Sequence, residues 1–203
     1  MNYGDIKTHF EALLNRSDIT TALTTTFVDQ SIARIQRQLR TPLNESVTTY
    51  TISGQTASVT LPNDFLEIIS VYLGAMELSR VPMSKFRQYA ANSYAGNPVA
   101  FARQQSKLQL HPQPSTGDLV LYYYSEFPVM TANSDENSLA AVASDLIIYG
   151  ALTFASDYYL DERGTLFEEK FNQFLLEIQE QANDQELNGG VQVIQPSATY
   201  TDY

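Results

Sequence analysis

His9 and His111 are the only histidines in the chain, and neither has the company that acid–base or metal chemistry requires. A zinc or iron site draws three or four His, Cys or carboxylate ligands to one point, usually from recurring short spacings, and no second His or Cys stands near either residue. Cysteine is absent altogether, which removes thiolate nucleophiles, Cys-ligated metals and disulfides. The acidic pairs Asp135-Glu136, Asp161-Glu162 and Glu168-Glu169 are the next candidates. Glycosidic cleavage needs two carboxylates facing each other across a sugar, whereas sequence neighbours on a helix diverge by about 100°. These pairs read as helix ends and solvated faces. The nine glycines are scattered, and Gly189-Gly190 opens no helical pattern, so no loop is built to cradle phosphate. The expectation is a protein that is not an enzyme, with no catalytic residue, no metal and no cofactor.

The placement of charge narrows the partners. Residues 1–103 hold nine Lys/Arg against eight Asp/Glu, while residues 104–203 hold three against fifteen, so nearly all of the net charge of −11 sits in the second half. Such a surface repels phosphate, because affinity for nucleic acid comes mainly from Lys and Arg displacing counterions. The one basic cluster, ARIQRQLR, puts Arg34, Arg37 and Arg40 on one helical face, as a solvated face or a dock for an acidic partner. No window approaches the roughly 18 uninterrupted apolar residues of a membrane span, and the opening MNYGDIKTHFEALL lacks a basic segment followed by an apolar run. The chain is expected to be soluble, unprocessed and free of membrane.

The elements that position these groups follow from periodicity. Val28, Ile32, Ile35 and Leu39 recur at helical steps, and a preceding helix spans Asp5 to Asn15 with Ile6, Phe10, Leu13 and Leu14 inward and Ser17 or Asp18 as the cap between them. After Thr41-Pro42 the period becomes two. VTTYTIS and TASVTLP flank Gly54 and predict a hairpin, followed by strands at ISVYL, MELSRV, VAFAR, KLQLHP and DLVLYYYSEF, with a short helix at MSKFRQYAAN. Connection lengths predict an antiparallel sheet. The run LVLYYY is apolar on both faces, so its strand is either central within the chain or pressed against another chain.

Two further helices close the pattern. SDLIIYGALTFASDYYLDE has almost no polar face before its acidic end. In TLFEEKFNQFLLEIQEQA, Leu166, Phe167, Phe171, Phe174, Leu175, Ile178 and Ala182 form one stripe with the glutamates largely off it. Together they predict a helical hairpin broken at Asp161–Gly164, in which the first helix lies mid-bundle and Gly150 and Ala151 admit a close neighbour. The fold class is α+β, a helical bundle of N-terminal helices plus a C-terminal helical hairpin with an antiparallel β-sheet inserted between them. One domain is expected over 1–187, with helices in 5–40 and 140–187 and a β-rich part in 47–127, followed by an extended tail over 188–203. That tail carries Val191, Val193, Ile194, Tyr200 and Tyr203, too many apolar groups for an inert solvating end: it either folds back on its own domain or extends to a neighbouring subunit or the portal, where these residues are the expected partner-binding anchors.

The order of SIARIQRQLRTPL, VTLPNDFLEIISVYL, GNPVAFARQQSKLQLHPQP, LVLYYYSEFPVM and SDLIIYGALTFASDYYLDE resembles the head-to-tail adaptor proteins of short-tailed bacteriophages, the connector subunits between portal ring and tail. The likeness covers most of residues 15–182, with Ser144 where a proline is frequent and Phe167 where a tryptophan is common. It implies a virion structural protein in the neck between head and tail, made in the host cytoplasm. Its partners would be the portal protein ring, a tail nozzle or hub protein, and further copies in a ring of about twelve that continues the DNA channel. A tail-tube or nozzle subunit is the alternative within viral structure, and a cellular enzyme or ligand-binding domain the alternative outside it. Duplex DNA should be held weakly and without sequence preference at physiological salt, as a band-shift titration would show; tight base-specific retention would refute the electrostatic reading.

Overall fold

The computed structural model describes residues 1–91 and 94–187, with side chains through Asp184; Val191, Val193, Ile194, Tyr200 and Tyr203 lie outside the described residues. Along the chain run α1 (Tyr3–Leu14), α2 (Thr21–Gln38), β1 (Glu45–Ser53), β2 (Ser58–Thr60), β3 (Phe65–Leu73), β4 (Met76–Glu77), β5 (Ser79–Arg80), α3 (Met83–Ala90), β6 (Ala100–Gln104), β7 (Lys107–His111), β8 (Thr116–Ser125), α4 (Ser138–Val142), α5 (Ser144–Tyr159) and α6 (Gly164–Leu187). The fold is α+β, with the strands inserted between N-terminal and C-terminal helices. It divides into two compact units: a helical one of Met1–Thr41, Ala132–Glu136 and the residues from Ala140 onward, and a β-rich one of Pro42–Thr131 with Asn137–Leu139.

In the helical unit α1 begins where Asn2 accepts a hydrogen bond from the Asp5 amide at 2.8 Å. The cap of α2 is Thr20, whose hydroxyl accepts from the Leu23 amide at 3.3 Å; Asp18 is instead engaged by both ends of the Arg16 guanidinium at 2.8 Å. Helix α5 touches α1, α2 and α6, which is why its buried residues, Leu146, Ile147, Ile148, Gly150, Ala151, Leu152, Ala155 and Ser156, run round its circumference. Two expected core residues are exposed. Leu13 and Leu166 lie at the edge of their stripes, about 100° from the buried Leu14 and Phe167, and that rotation carries them into solvent.

Gly150 is the closest approach. A Cβ there would overlap the Ser31 hydroxyl of α2 and meet the Phe171 ring of α6 at 3.0 Å. Ser31 is fully buried and donates to the Ile147 carbonyl at 2.8 Å, so its hydroxyl is satisfied by α5 itself. Arg34, one turn along α2, lies 4.0 Å over the Phe171 ring and donates to both oxygens of Glu168. Arg40 donates to the Gln36 and Leu39 carbonyls at 2.7 Å, at the end of its own helix. The basic cluster of α2 is therefore largely used within the unit.

The β-rich unit is two packed sheets, β1-β8-β3-β4 (sheet A) and β2-β7-β6-β5 (sheet B). Ile52, Val71, Leu119, Leu121 and Tyr123 from sheet A meet Val59, Phe101, Leu108 and Leu110 from sheet B in one core. Sheet A is antiparallel, whereas sheet B contains a parallel pair, β5 with β6. The expected β1–β2 hairpin does not form: β1 pairs with β8 and β2 with β7. Both partners cross from one sheet to the other at the same corner, where the Gly54 amide donates to Ser115 at 2.7 Å and the Thr56 amide to Pro114 at 2.9 Å. Gly54 and Gly117 have φ of 121° and 117°, a conformation open mainly to glycine, so the glycine read as a hairpin turn is a bend between sheets. Helix α3 packs on β6 and β7.

Replacing Gly150 with leucine should overpack this junction and destabilise the protein by about 1–3 kcal/mol. A thermal melt of Gly150→Leu reads the loss directly; an unchanged transition would show that α2 and α6 do not close on α5 at this point.

Candidate docking surfaces

The side chains that sequence marked for chemistry are dispersed. His9 is exposed on α1, and His111 is buried among Phe86, Tyr89 and Tyr94, with ring centroids at 6.2, 6.3 and 5.4 Å. Among the described residues no three His, Asp or Glu side chains are grouped to hold a metal. The perturbed carboxylates have local structural causes. Hydrogen bonds from Arg34 lower the Glu168 carboxyl, those from Arg16 lower Asp18, and those from Arg163 hold Asp161 at about 2. Tyr3 is raised by burial and by its 2.6 Å hydrogen bond to Asp29. Arg34–Glu168 ties α2 to α6 and Tyr3–Asp29 ties α1 to α2, while Arg16–Asp18 and Asp161–Arg163 each pair residues two apart within one turn.

What the arrangement offers is surface. On α6 the exposed Glu169, Glu177, Glu180 and Asp184 fall within an arc of about 80° when each residue turns 100°, so four carboxylates share one face. At the α5–α6 turn Leu160 is 88% exposed and has φ of 56°, a left-handed position usually filled by glycine. The Asp161 amide closes the turn on the Ser156 carbonyl at 2.8 Å, and the Asp161 carboxylate accepts from the Arg163 amide and guanidinium at 2.9 and 2.6 Å. Arg163 also donates to the Leu14 carbonyl at 3.0 Å, which sets exposed Leu13 at the same end of the unit as Leu160. At that exposure Leu160 adds little to the unit's own packing.

The third surface belongs to sheet A. Strand β8 is central, between β1 and β3, with Leu119, Leu121 and Tyr123 in the core. Its other face carries Val120, Tyr122 and Tyr124 outward; Tyr122 opposes Val47 and meets Tyr72 edge-on at 5.9 Å. Val47, Ile69 and Tyr122 are 55%, 42% and 44% exposed. The doubly apolar run LVLYYY was the only sequence signal for this face; Val47 and Ile69 gave none. Of the residues singled out from sequence, Gly150 and Ala151 are buried on α5 and present no surface, and the C-terminal anchors lie outside the described residues.

The chain belongs to the SU10 adaptor protein family, whose model matches residues 1–194, and is thus a structural protein of the phage head–tail adaptor class. No curated protein matches it. Among the described residues no helix is long and apolar enough to cross a membrane.

The turn that presents Leu160 has a pH signature. Asp161 is depressed from 3.8 to about 2 in the folded protein, so its contribution to stability is present above the unfolded value and is lost as pH falls from about 4 toward 2. Asp161→Asn should therefore melt below the wild type near neutral pH, with the gap narrowing across that acid window. Parallel melting curves at all pH values would mean that the Arg163 pairing adds nothing to the fold.

Proposed function

We propose that the protein is a ring subunit seated in the virion neck between the portal and the tail, where about twelve copies extend the DNA channel. The match of the adaptor family over residues 1–194 carries this reading. In it the two units act as one adaptor subunit made in the host cytoplasm, binding the portal ring on one side and a nozzle or hub protein on the other. The carboxylate face of α6 supports it: Glu169, Glu177, Glu180 and Asp184 repel phosphate, which suits a wall past which DNA slides without being held. The reading assigns no catalytic step to the chain.

The segment from Asn188 onward is proposed as the clasp to the portal. Its sequence alternates apolar and polar residues through Val191 and Val193, adds Ile194, and ends with Tyr200 and Tyr203, a pattern fit for strand addition to a partner.

Mixing the purified protein with a portal ring and imaging the product by electron microscopy tests both statements. The expected result is a ring of added density coaxial with the portal. A chain ended at Asn188 should keep its melting temperature and lose stable attachment. Absence of added density with the full chain would refute the adaptor reading, and normal attachment of the shortened chain would refute the clasp.

A further inference from the structure

The β-rich unit separates its charge by layer. From Leu78 to Gly117 the chain carries Arg80, Lys85, Arg87, Arg103 and Lys107 and no carboxylate. The remainder of the unit, 42–77 and 118–131, carries Glu45, Asp64, Glu67, Glu77, Asp118 and Glu126 and no Lys or Arg. The topology converts these blocks into faces. The five bases sit on β5, α3, β6 and β7, but Arg80 lines a cavity with Glu77 and Ile69 of sheet A and Arg103 lies 4.9 Å over the Phe65 ring of sheet A, so the outer basic layer is Lys85 and Arg87 on α3 with Lys107 on β7. The six acids sit on sheet A or the connections at its ends. All five bases are exposed, and among the described residues none has a carboxylate partner.

Each face also has an apolar centre. On the acidic face Val47, Ile69 and Tyr122 lie between Glu45 at one end of β1 and Asp118, which opposes Thr51 toward the other. On the basic layer Tyr89, Tyr94 and Val99 are 41%, 55% and 56% exposed, with Lys85 lying 5.7 Å from the Tyr89 ring. Exposed apolar side chains flanked by carboxylates on one layer, and by Lys85 and Arg87 on the other, form two complementary protein-binding surfaces. Nucleic acid would complement only the basic one and would leave the apolar centre of sheet A uncovered.

We propose that the β-rich unit binds a second copy of this chain front to back, the acidic outer face of sheet A seating against the basic α3–sheet B layer of the next. This rests on the ring reading and supplies its subunit contact. An isologous pairing would set acid on acid or base on base, whereas a heterologous contact satisfies both faces of every copy and closes into a ring when the rotation per step allows.

Charge reversal tests it in the full-length chain. Glu45→Lys with Asp118→Lys reverses the two acids that bracket the apolar centre of sheet A; Lys85→Glu with Lys107→Glu reverses two bases of the opposite layer. Sedimentation velocity at high protein concentration and physiological salt should show a faster species for the wild type, its loss in each double variant alone, and its return when the two variants are mixed in equal amounts. Circular dichroism and melting curves on each variant confirm that the fold is intact. A wild type that stays monomeric, double variants that associate normally, or a mixture that fails to recover would overturn the proposal. So would loss of DNA retention by Lys85→Glu/Lys107→Glu with self-association unchanged, which would make the basic layer a nucleic-acid surface. Imaging with the portal separates this from the ring reading. Charge-reversed copies that still ring the portal sink the contact and leave the ring standing, while wild type that forms no ring sinks the ring and leaves the solution result to decide the contact.

Discussion

The helical unit depends on a missing side chain. Protein interiors are close-packed, so a helix surrounded by three others can be apolar all round only if the helices can approach one another. At Gly150 the buried Ser31 hydroxyl and the Phe171 ring occupy the space that a Cβ would need. The same ring receives the Arg34 guanidinium, which in turn reaches Glu168. One contact thus fixes the spacing of α2, α5 and α6 and decides where a charge can approach the core: at its rim, stacked on an aromatic face and paired. The remaining carboxylates of α6 are left on the outer face by that choice.

In the β-rich unit the organising constraint is the corner. A sheet in a two-layer sandwich has one face for the core, so its charges must stand on the other or at its ends. The sign of charge changes at two places where the chain passes between sheets, from Glu77 on β4 to Arg80 on β5 and from β7 to β8, while β2, in sheet B, carries no charge. Lys107 stands on β7 in sheet B, and Asp118, one residue past Gly117, stands on β8 in sheet A. Segregation along the chain and segregation in space are the same fact.

Helices were legible because their signals are local. The stripes through Ile6 and Phe10, Val28 and Ile35, and Phe167 and Phe171 specify both the helix and its buried side, and the acidic turn after Tyr159 marks the hairpin. The errors fell on edges of stripes, as at Leu13 and Leu166, where a turn of about 100° separates core from solvent. Strands were legible as strands but not as partners. Period two says that β1 and β2 are extended, and a glycine between them is compatible with a tight turn or with a bend between sheets; only the distant β7 and β8 decide, and no local pattern encodes them. The outer face of sheet A was half legible. LVLYYY announced a second apolar face, while its neighbours Val47 and Ile69 come from separate strands and join it only in three dimensions.

Net charge then sets the terms of any assembly. Copies that each carry −11 repel one another, and that repulsion reaches beyond about 8 Å only when salt is below physiological levels. Attraction between opposed layers acts at contact, where screening is weaker and exposed apolar groups such as Tyr122 and Val99 add a salt-independent part. Lowering salt strengthens the long-range repulsion more than the short-range attraction, and raising it weakens the ionic contact after the repulsion has been screened. Cohesion between such subunits is therefore greatest at intermediate ionic strength. With the front-to-back contact proposed above, such a chain would stay dispersed while dilute and associate where a platform raises its local concentration, the contact faces supplying direction and the acidic remainder the opposing force.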